Sequence, residues 1–214
     1  MPATPRRTGR PPVTSRPQIL AAARSLIDAD GWEKLTVRRL AAELGIGPTT
    51  LYHHVRDKQD LLLQLLNEYA GRLPVPELPD EPRDRIVVAA TAMHDALTGW
   101  PWAAEILATD GFVGLLGDPA LHLVDTIVGA AVDAGRTRAQ AVAVFRSIWY
   151  YTVGEILVRF RSVGPAAYRD IDFTAFDPTR LPHLAAIGDQ WPALATTDTY
   201  PAGLRALVDG LLDD

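Results

Sequence analysis

The stretch TVRRLAAELGIGPTTLYHHVRDK, residues 36–58, predicts two short helices joined by a tight turn. The first helix has Thr36 at its N-cap and ends at Gly45, a residue type that readily takes the left-handed conformation at a helix end. Pro48 suits the first turn of the second helix, which continues to Val55. Apolar residues recur on one face of the first helix at helical spacing: Val37, Leu40, Ala41 and Leu44.

In the second helix, Leu51 and Val55 are four residues apart and should both pack inward. The other side chains after Pro48 should lie on or near the outer face: Thr49, Thr50, Tyr52, His53 and His54. A helix, a glycine turn and a second helix with a polar outer face are typical of a helix-turn-helix that binds DNA. An ordinary helical hairpin has the same spacing, so this pattern alone leaves both interpretations open.

The distribution of charge favours the DNA-binding interpretation. Residues 1–72 carry 11 Lys or Arg and 7 Asp or Glu, whereas residues 73–214 carry 10 and 19. Residues 1–16 contain four arginines and no acidic residue, and we expect them to form a basic flexible arm. Such an arm either follows the DNA backbone or its minor groove, or is simply a solvated tail. A basic first third on an acidic remainder is typical of a phosphate-binding module attached to a body that does not bind DNA.

The run GIGPTTLYHHVRDKQDLL, residues 45–62, resembles the recognition-helix signature of the TetR family of transcriptional repressors. LTVRRLAAELG, residues 35–45, is similar to the second helix of that family. QILAAARSLIDADGWEKLT, residues 18–36, is similar to its first helix. The resemblance implies that a glycine turn leads into the DNA-reading helix and that a long fourth helix follows it.

The resemblance also implies roles for individual residues on the DNA. Arg38 falls where family members reach a base edge or a phosphate, and a guanidinium can pair with guanine. Tyr52 and His54 resemble residues that clamp phosphates, while Lys58 fits a phosphate contact at the start of the fourth helix. Thr50 and His53 fall on the base-facing side, and Thr49 is a further candidate DNA-binding residue.

Beyond the fourth helix, the chain predicts helices only, because no segment sustains the alternation of a β-strand. We expect an all-α protein with an N-terminal three-helix helix-turn-helix DNA-binding domain and a C-terminal helical ligand-binding and dimerisation domain. The first domain with its connecting helix covers residues 17–73, and the second covers residues 80–214, after a proline-rich boundary. A loop is expected over residues 161–179. The main helices predicted in the second domain span residues 86–97, 119–134, 138–160 and 201–212.

The helix over residues 138–160 is apolar on two faces, so we expect it to be buried on two sides. The terminal helix over residues 201–212 carries an apolar stripe for which no cover is evident elsewhere in the chain. These two helices together predict a homodimer, built as a four-helix bundle across a two-fold axis. The alternative is that the terminal stripe folds back onto its own domain.

Aromatic and sulfur-containing residues cluster in the second domain, and the resemblance implies a small-molecule effector held there. His94 and Glu155 are the candidate polar anchors of such a pocket. The other candidate ligand-binding residues are Met93, Trp100, Trp102, Phe112, Phe145 and Trp149. The alternative for each of them is a place in the hydrophobic core, and for His94 a hydrogen-bonded core position.

Several functional classes find no support in the residues. We find no nucleophile elbow, no phosphate-binding glycine loop, no zinc-protease motif and no cysteine, so we predict no enzyme and no cofactor. Adjacent His53 and His54 point about 100° apart on a helix and cannot pair on a metal. No long apolar run predicts a membrane span, and the absence of cysteine fits a cytoplasmic protein.

We therefore predict a homodimeric, sequence-specific transcriptional repressor that a small apolar or amphipathic ligand releases from a palindromic operator. One alternative is an effector-independent architectural DNA-binding protein. The other is a helical enzyme with an accessory DNA-binding domain.

Overall fold

The computed structural model describes residues 14–109, 111–161 and 173–213, and every regular element within them is helical. The predicted all-α fold is confirmed. The chain divides into two compact units, an N-terminal unit of residues 1–72 and a C-terminal unit of residues 73–214. The predicted basic arm lies outside the described residues as far as residue 13, and Arg16, its last residue, is already the first residue of a helix.

Four helices build the described part of the N-terminal unit. Ser15 and Gln18 form a capping box at the start of the first helix, and Thr36 Oγ1 accepts a hydrogen bond of 3.1 Å from the backbone N–H of Arg39 at the start of the second. Gly45, with φ of 65°, makes the predicted left-handed turn after the second helix. The helices are α1 Arg16–Asp30, α2 Val37–Glu43, α3 Pro48–Tyr52 and α4 Lys58–Ala70.

The helix α3 ends three residues earlier than the sequence predicts. The backbone N–H of His54 donates to the carbonyl oxygen of Leu51 at 2.9 Å, a bond between residues three apart that tightens the chain into a turn. Val55 is nevertheless only 2% exposed, so it packs inward as expected. The hydrophobic pattern therefore predicts the burial correctly and the helix boundary less well.

The core of the N-terminal unit is a small set of aliphatic side chains from all four helices. Burying each such Leu or Ile contributes about 1.5–3 kcal/mol to folding, which holds the short helices α2 and α3 in place despite their length. The side chains without solvent exposure are Ile19, Ala23, Leu40, Leu51, Leu61 and Leu65.

The C-terminal unit is organised around its longest helix, α8. Short 3-10 segments occur at Phe112–Leu115, Phe173–Ala175 and Gly188–Gln190. The helices are α5 Pro82–Thr98, α6 Pro101–Leu107, α7 Asp118–Asp133, α8 Arg138–Arg161, α9 Pro182–Ile187, α10 Trp191–Leu194 and α11 Tyr200–Asp213. The short helices α9 and α10 were not predicted, because a stretch of four to six residues carries too little periodicity.

The helix α8 packs against α5, α6, α7 and α11, which accounts for its apolar composition. By length and hydropathy it would also be able to span a membrane, and 44% of its most apolar stretch is buried within the protein. Val142 and Phe160 of this helix are 50% and 38% exposed within the single chain. The buried residues of α8 are Ala141, Val144, Phe145, Ile148, Trp149, Thr152, Val153 and Ile156.

The apolar stripe of α11 is covered within this chain. Leu204, Val208 and Leu212 are at most 4% exposed, and α11 packs on α5 and α8. The expectation that nothing else in the chain covers this stripe is therefore wrong. The sequence does not reveal this cover because α5 lies more than a hundred residues before α11.

Candidate nucleic-acid interface and effector cavity

The helix α3 packs one side against the core and presents polar side chains to solvent on the other. Leu51 has no solvent exposure, whereas its neighbour Tyr52 is 54% exposed. Thr49, Thr50 and His53 are exposed as well. These hydroxyl and imidazole groups donate and accept hydrogen bonds, as contacts to phosphates and base edges require.

His54 and Arg38 flank this surface. The His54 side chain is half-buried, and its backbone carbonyl accepts a hydrogen bond of 3.2 Å from Nε2 of Gln64 in α4. Arg38 is exposed in the first turn of α2, next to the Thr36 cap. The polar surface of α3 and the guanidinium of Arg38 thus both face solvent within the N-terminal unit.

Lys58, at the start of α4, is held by the loop between α1 and α2. Its Nζ donates a hydrogen bond of 3.0 Å to the carbonyl oxygen of Glu33 and lies 4.9 Å from the centre of the Trp32 ring. Partial burial lowers the pKa of Lys58, and the charge of Glu33 acts in the opposite direction. This lysine therefore already joins two parts of the N-terminal unit.

Two other arginines of the N-terminal unit form ion pairs near α3. Arg39 forms an ion pair with Asp30 that ties α2 to the end of α1. Arg56 was not among the predicted DNA contacts. Its side chain lies between α3 and α4, is 84% exposed and contacts Asp60 at 3.4 Å. In the sequence, only the position of Arg56 beside the recognition helix would have marked it as a candidate DNA contact.

The C-terminal unit contains a cavity of about 790 Å³ lined by the segment after α6, the 3-10 segment that follows it and α8. This volume is within the range of about 300–1,000 Å³ that small-molecule sites occupy. Three of the candidate ligand-binding residues line it, namely Phe112, Phe145 and Trp149. The other lining residues are Ala108, Thr109, Gly111, Val113, Val142, Arg146, Tyr150, Val153 and Gly154.

Aromatic rings form one wall of this cavity. Phe112 stacks on Trp149 with ring centroids 4.2 Å apart, and Phe145 lies 6.4 Å from Phe112. Arg146 donates hydrogen bonds to the hydroxyl oxygen of Tyr150, at 2.5 Å from Nη2 and 3.2 Å from Nε. The cavity thus combines a flat apolar wall with a charged donor group.

The remaining five candidates are not among the residues that line this cavity. His94, 8% exposed, contacts Glu155 through Nε2 and Asp95 through Nδ1, each at 3.1 Å. A neutral imidazole has one N–H, so both contacts are hydrogen bonds only when the ring carries two protons. Trp100 and Trp102 stack on each other at 5.3 Å, and Met93 is buried in α5.

Within the described residues, no group of three or more potential metal ligands of the His, Cys, Asp or Glu type lies together.

Comparisons with known proteins agree with this architecture. Residues 19–65 match the family described as bacterial regulatory proteins, tetR family, and residues 75–214 match the tetracyclin repressor-like C-terminal domain. An HTH-type transcriptional regulator of Saccharopolyspora erythraea is 31% identical over 89% of this chain and 77% of its own length. The tetracycline repressor protein class A from transposon 1721 of Escherichia coli is 28% identical over 90% of this chain and 88% of its own.

The crystal structure of BioQ from Mycobacterium smegmatis is 28% identical, with a TM-score of 0.67, and the match covers 93% of this chain and 98% of that one. The matches to both family domains extend over nearly the whole chain. The order of helices and the glycine turn before α3 are the features that the resemblance implied. This chain therefore belongs to the TetR family of bacterial transcriptional regulators.

Proposed function

We propose that this protein is a ligand-responsive transcriptional repressor that reads operator DNA with α3. The observation that carries the proposal is the contrast within α3, where Leu51 is fully buried while Thr49, Thr50, Tyr52 and His53 face solvent. A helix that is packed against the core on one side and carries polar side chains on the other suits insertion into a major groove. The similarity to the tetracycline repressor protein class A supports repression rather than activation.

Within this proposal, Arg38, Thr50 and His53 read bases, and Tyr52, His54 and Lys58 hold phosphates. Thr49 lies on the same exposed surface and belongs to the base-reading group. Base contacts set the preferred sequence, while phosphate contacts set orientation and much of the affinity. Exposed Arg56, in the turn between α3 and α4, adds a further phosphate contact.

We further propose that the protein acts as a homodimer on a palindromic operator. A dimer would place two copies of α3 in successive major grooves, about 34 Å apart. Because the apolar stripe of α11 packs on its own chain, we assign the partner contact to outward apolar side chains of α8. They include Val158, 68% exposed, and Phe160, 38% exposed.

The effector site that we propose is the cavity beside α8. A ligand bound there would favour a conformation in which the two copies of α3 no longer fit successive grooves. By linkage, ligand and DNA would then weaken each other's binding by the same factor. The relatives are transcriptional regulators, which favours a regulator without enzymatic activity, acting in the cytoplasm.

The experiment that tests the proposal is selection of bound duplexes from a random DNA pool, at about 150 mM salt to suppress non-specific phosphate binding. The expected result is a palindrome with half-sites about one helical turn apart. Recovery of no consensus would contradict sequence-specific repression by the free protein. That result would favour the architectural alternative.

A further inference from the structure

The turn that ends α3 is joined to α4 by the side chain of Gln64. Nε2 of Gln64 donates one hydrogen bond of 3.2 Å to the backbone carbonyl oxygen of His54 and one of 3.1 Å to Oδ2 of Asp60. These bonds use both N–H groups of the amide. His54 is the second residue after α3, where carbonyl oxygens no longer find partners within the helix. Gln64 therefore supplies a donor from outside the helix.

The orientation of the Gln64 amide is fixed by its surroundings. Its Oε1 is buried and has no hydrogen-bond partner within the described part of the chain. The reverse orientation would place this oxygen against two acceptors, the carbonyl of His54 and the carboxylate of Asp60. A buried oxygen without a partner is unfavourable for folding. What a glutamine provides at this position is thus its pair of N–H groups, at some loss of stability.

Asp60 extends the connection to the residue after Val55. Its carboxylate accepts a hydrogen bond of 2.8 Å from the backbone N–H of Arg56 and one of 3.4 Å from Nη2 of the same residue. Partial burial alone would raise the pKa of Asp60, but the hydrogen bonds from Arg56 and Gln64 outweigh it and lower the pKa. The carboxylate is therefore ionised at neutral pH, and charged acceptors form the stronger hydrogen bonds. The backbone on both sides of Val55 is thus held from α4.

The helix α3 depends on such outside contacts because it is very short. It spans only Pro48–Tyr52, its N-cap Gly47 makes no side-chain hydrogen bond, and isolated helices of this length are not stable. Apolar packing by Leu51 and Val55 keeps α3 against the core, but such packing is not directional. Hydrogen bonds are directional, so the bonds from α4 set the rotation of α3 about its buried side chains.

We propose that Gln64 is a positioning residue for DNA recognition, which fixes the end of α3 so that its exposed side chains meet base edges in a single orientation. Gln64 acts through the His54 carbonyl and through Asp60 rather than by touching DNA itself. Side chains that recognise a ligand need placement within about 0.5 Å, which the hydrogen bonds behind them provide. This role rests on the proposed reading of operator DNA by α3 and places a determinant of specificity outside the DNA contacts.

The test compares the affinities of the full chain for the selected operator and for a scrambled duplex, by fluorescence anisotropy at about 150 mM salt. Gln64→Met keeps the approximate length of the side chain but removes both N–H donors. It should weaken binding to the operator about tenfold. Binding to the scrambled duplex should change by less than about twofold, because phosphate contacts tolerate a small rotation of α3.

Glu68→Gln is the matched control for stability. Glu68 lies one turn after Gln64 in α4, and its ion pair of 3.2 Å with Arg24 joins α4 to α1. This substitution should lower the free energy of unfolding but leave the preference for the operator unchanged, because the bonds of Gln64 stay in place. All variants are measured at a temperature at which circular dichroism shows them to be folded. If Gln64→Met does not fold, Gln64→Asn replaces it, since its amide is one methylene too short to reach the His54 carbonyl.

The outcomes separate this role from the proposed function. If the wild-type protein prefers the operator and Gln64→Met prefers it equally, the positioning role alone is overturned. An equal fall in preference for Gln64→Met and Glu68→Gln would also overturn it, because the effect would then follow from stability. Equal binding of the two duplexes by the wild-type protein would refute operator reading by α3, and the positioning role with it.

Discussion

The imidazole of His94 lies on the phenol ring of Tyr200, with ring centroids 3.7 Å apart and 15° between the planes. This stack joins α5 to the first residue of α11 inside the C-terminal unit. Tyr200 is 1% exposed, and its hydroxyl contacts Thr152 Oγ1 at 2.8 Å and donates toward the carbonyl oxygen of Ala90 at 3.4 Å. The start of α11 is thus fixed by stacking and by hydrogen bonds to two other helices.

Tyr200→Phe should lower the free energy of unfolding by about 1–3 kcal/mol, because Thr152 and Ala90 lose a buried partner. Burial raises the pKa of Tyr200 from 10.0 to about 12. The unfolded chain therefore loses this proton first, so the stabilisation from Tyr200 is complete below pH 10 and declines as the pH rises to about 12. Urea unfolding at about pH 8 and about pH 11 should show a smaller effect of Tyr200→Phe at the higher pH. An equal effect at both would contradict the burial of this hydroxyl.

Gly203→Ala should destabilise the C-terminal unit, because a Cβ there would lie 2.1 Å from the hydroxyl oxygen of Tyr151. The expected cost is about 1–3 kcal/mol, since the stacked Tyr151 has to move. Gly210→Ala, in the same helix, meets nothing within 4 Å and should instead stabilise α11 by about 0.5–1 kcal/mol. Thermal unfolding of both variants is the measurement, and the same direction of change for the two would refute the close crossing of α8 and α11.

Lys58→Met should lower the free energy of unfolding by about 1 kcal/mol, through loss of the contacts with Glu33 and Trp32. If Lys58 also binds a phosphate, the slope of log affinity for DNA against log salt concentration should fall by about 1. The control for stability is Lys34→Met, an exposed lysine in the same loop, which should change it by less than about 0.5 kcal/mol. An unchanged salt slope would assign Lys58 a structural role alone.

Arg38→Ala should relax the preference for one base pair in each half-site at a cost of about 1–3 kcal/mol. The double substitution of Tyr52 and His54 by Ala should weaken binding to every duplex, because phosphate contacts carry no sequence information. Titration of each variant with operators changed at single positions separates the two effects. Equal loss on all sequences for both proteins would show that the division into reading and clamping residues is wrong.

Val158→Glu should disrupt the proposed dimer, because it would bury an unpaired charge between two copies of α8. The dissociation constant of the dimer should rise by about tenfold or more. Val75→Glu is the matched control, since Val75 is 76% exposed and lies before α5. Sedimentation equilibrium measures both, and an unchanged dimer in Val158→Glu would place the interface elsewhere.

Local signals account for most of what the sequence predicts correctly. Thr36 and Gly45 mark helix ends through a hydrogen bond or a backbone conformation of their own, so a short window is enough to identify them. Thr137 and Gln140 likewise form a capping box before α8 with residues only three positions apart. Such signals also make the helix-turn-helix recognisable from the sequence alone.

Contacts between distant segments explain what the sequence does not predict. The cover of α11 by α5 joins residues more than a hundred positions apart, and nothing local to Leu204 or Leu212 reveals it. Contacts between distant segments also decide which aromatic candidates reach the cavity. Trp149 lines it, whereas Trp100 and Trp102 stack on each other elsewhere. Arg146 was missed as a candidate because, in the sequence, it is one more charge on a long helix.

The most direct test of sequence-specific DNA recognition is the affinity of the wild-type protein for the selected operator and for a scrambled duplex of the same length and composition. Fluorescence anisotropy at about 150 mM salt suits the measurement. A specific repressor should bind the operator about a thousandfold or more tightly than the scrambled duplex. Equal affinity for the two duplexes, with the same salt dependence, would contradict sequence-specific recognition by α3.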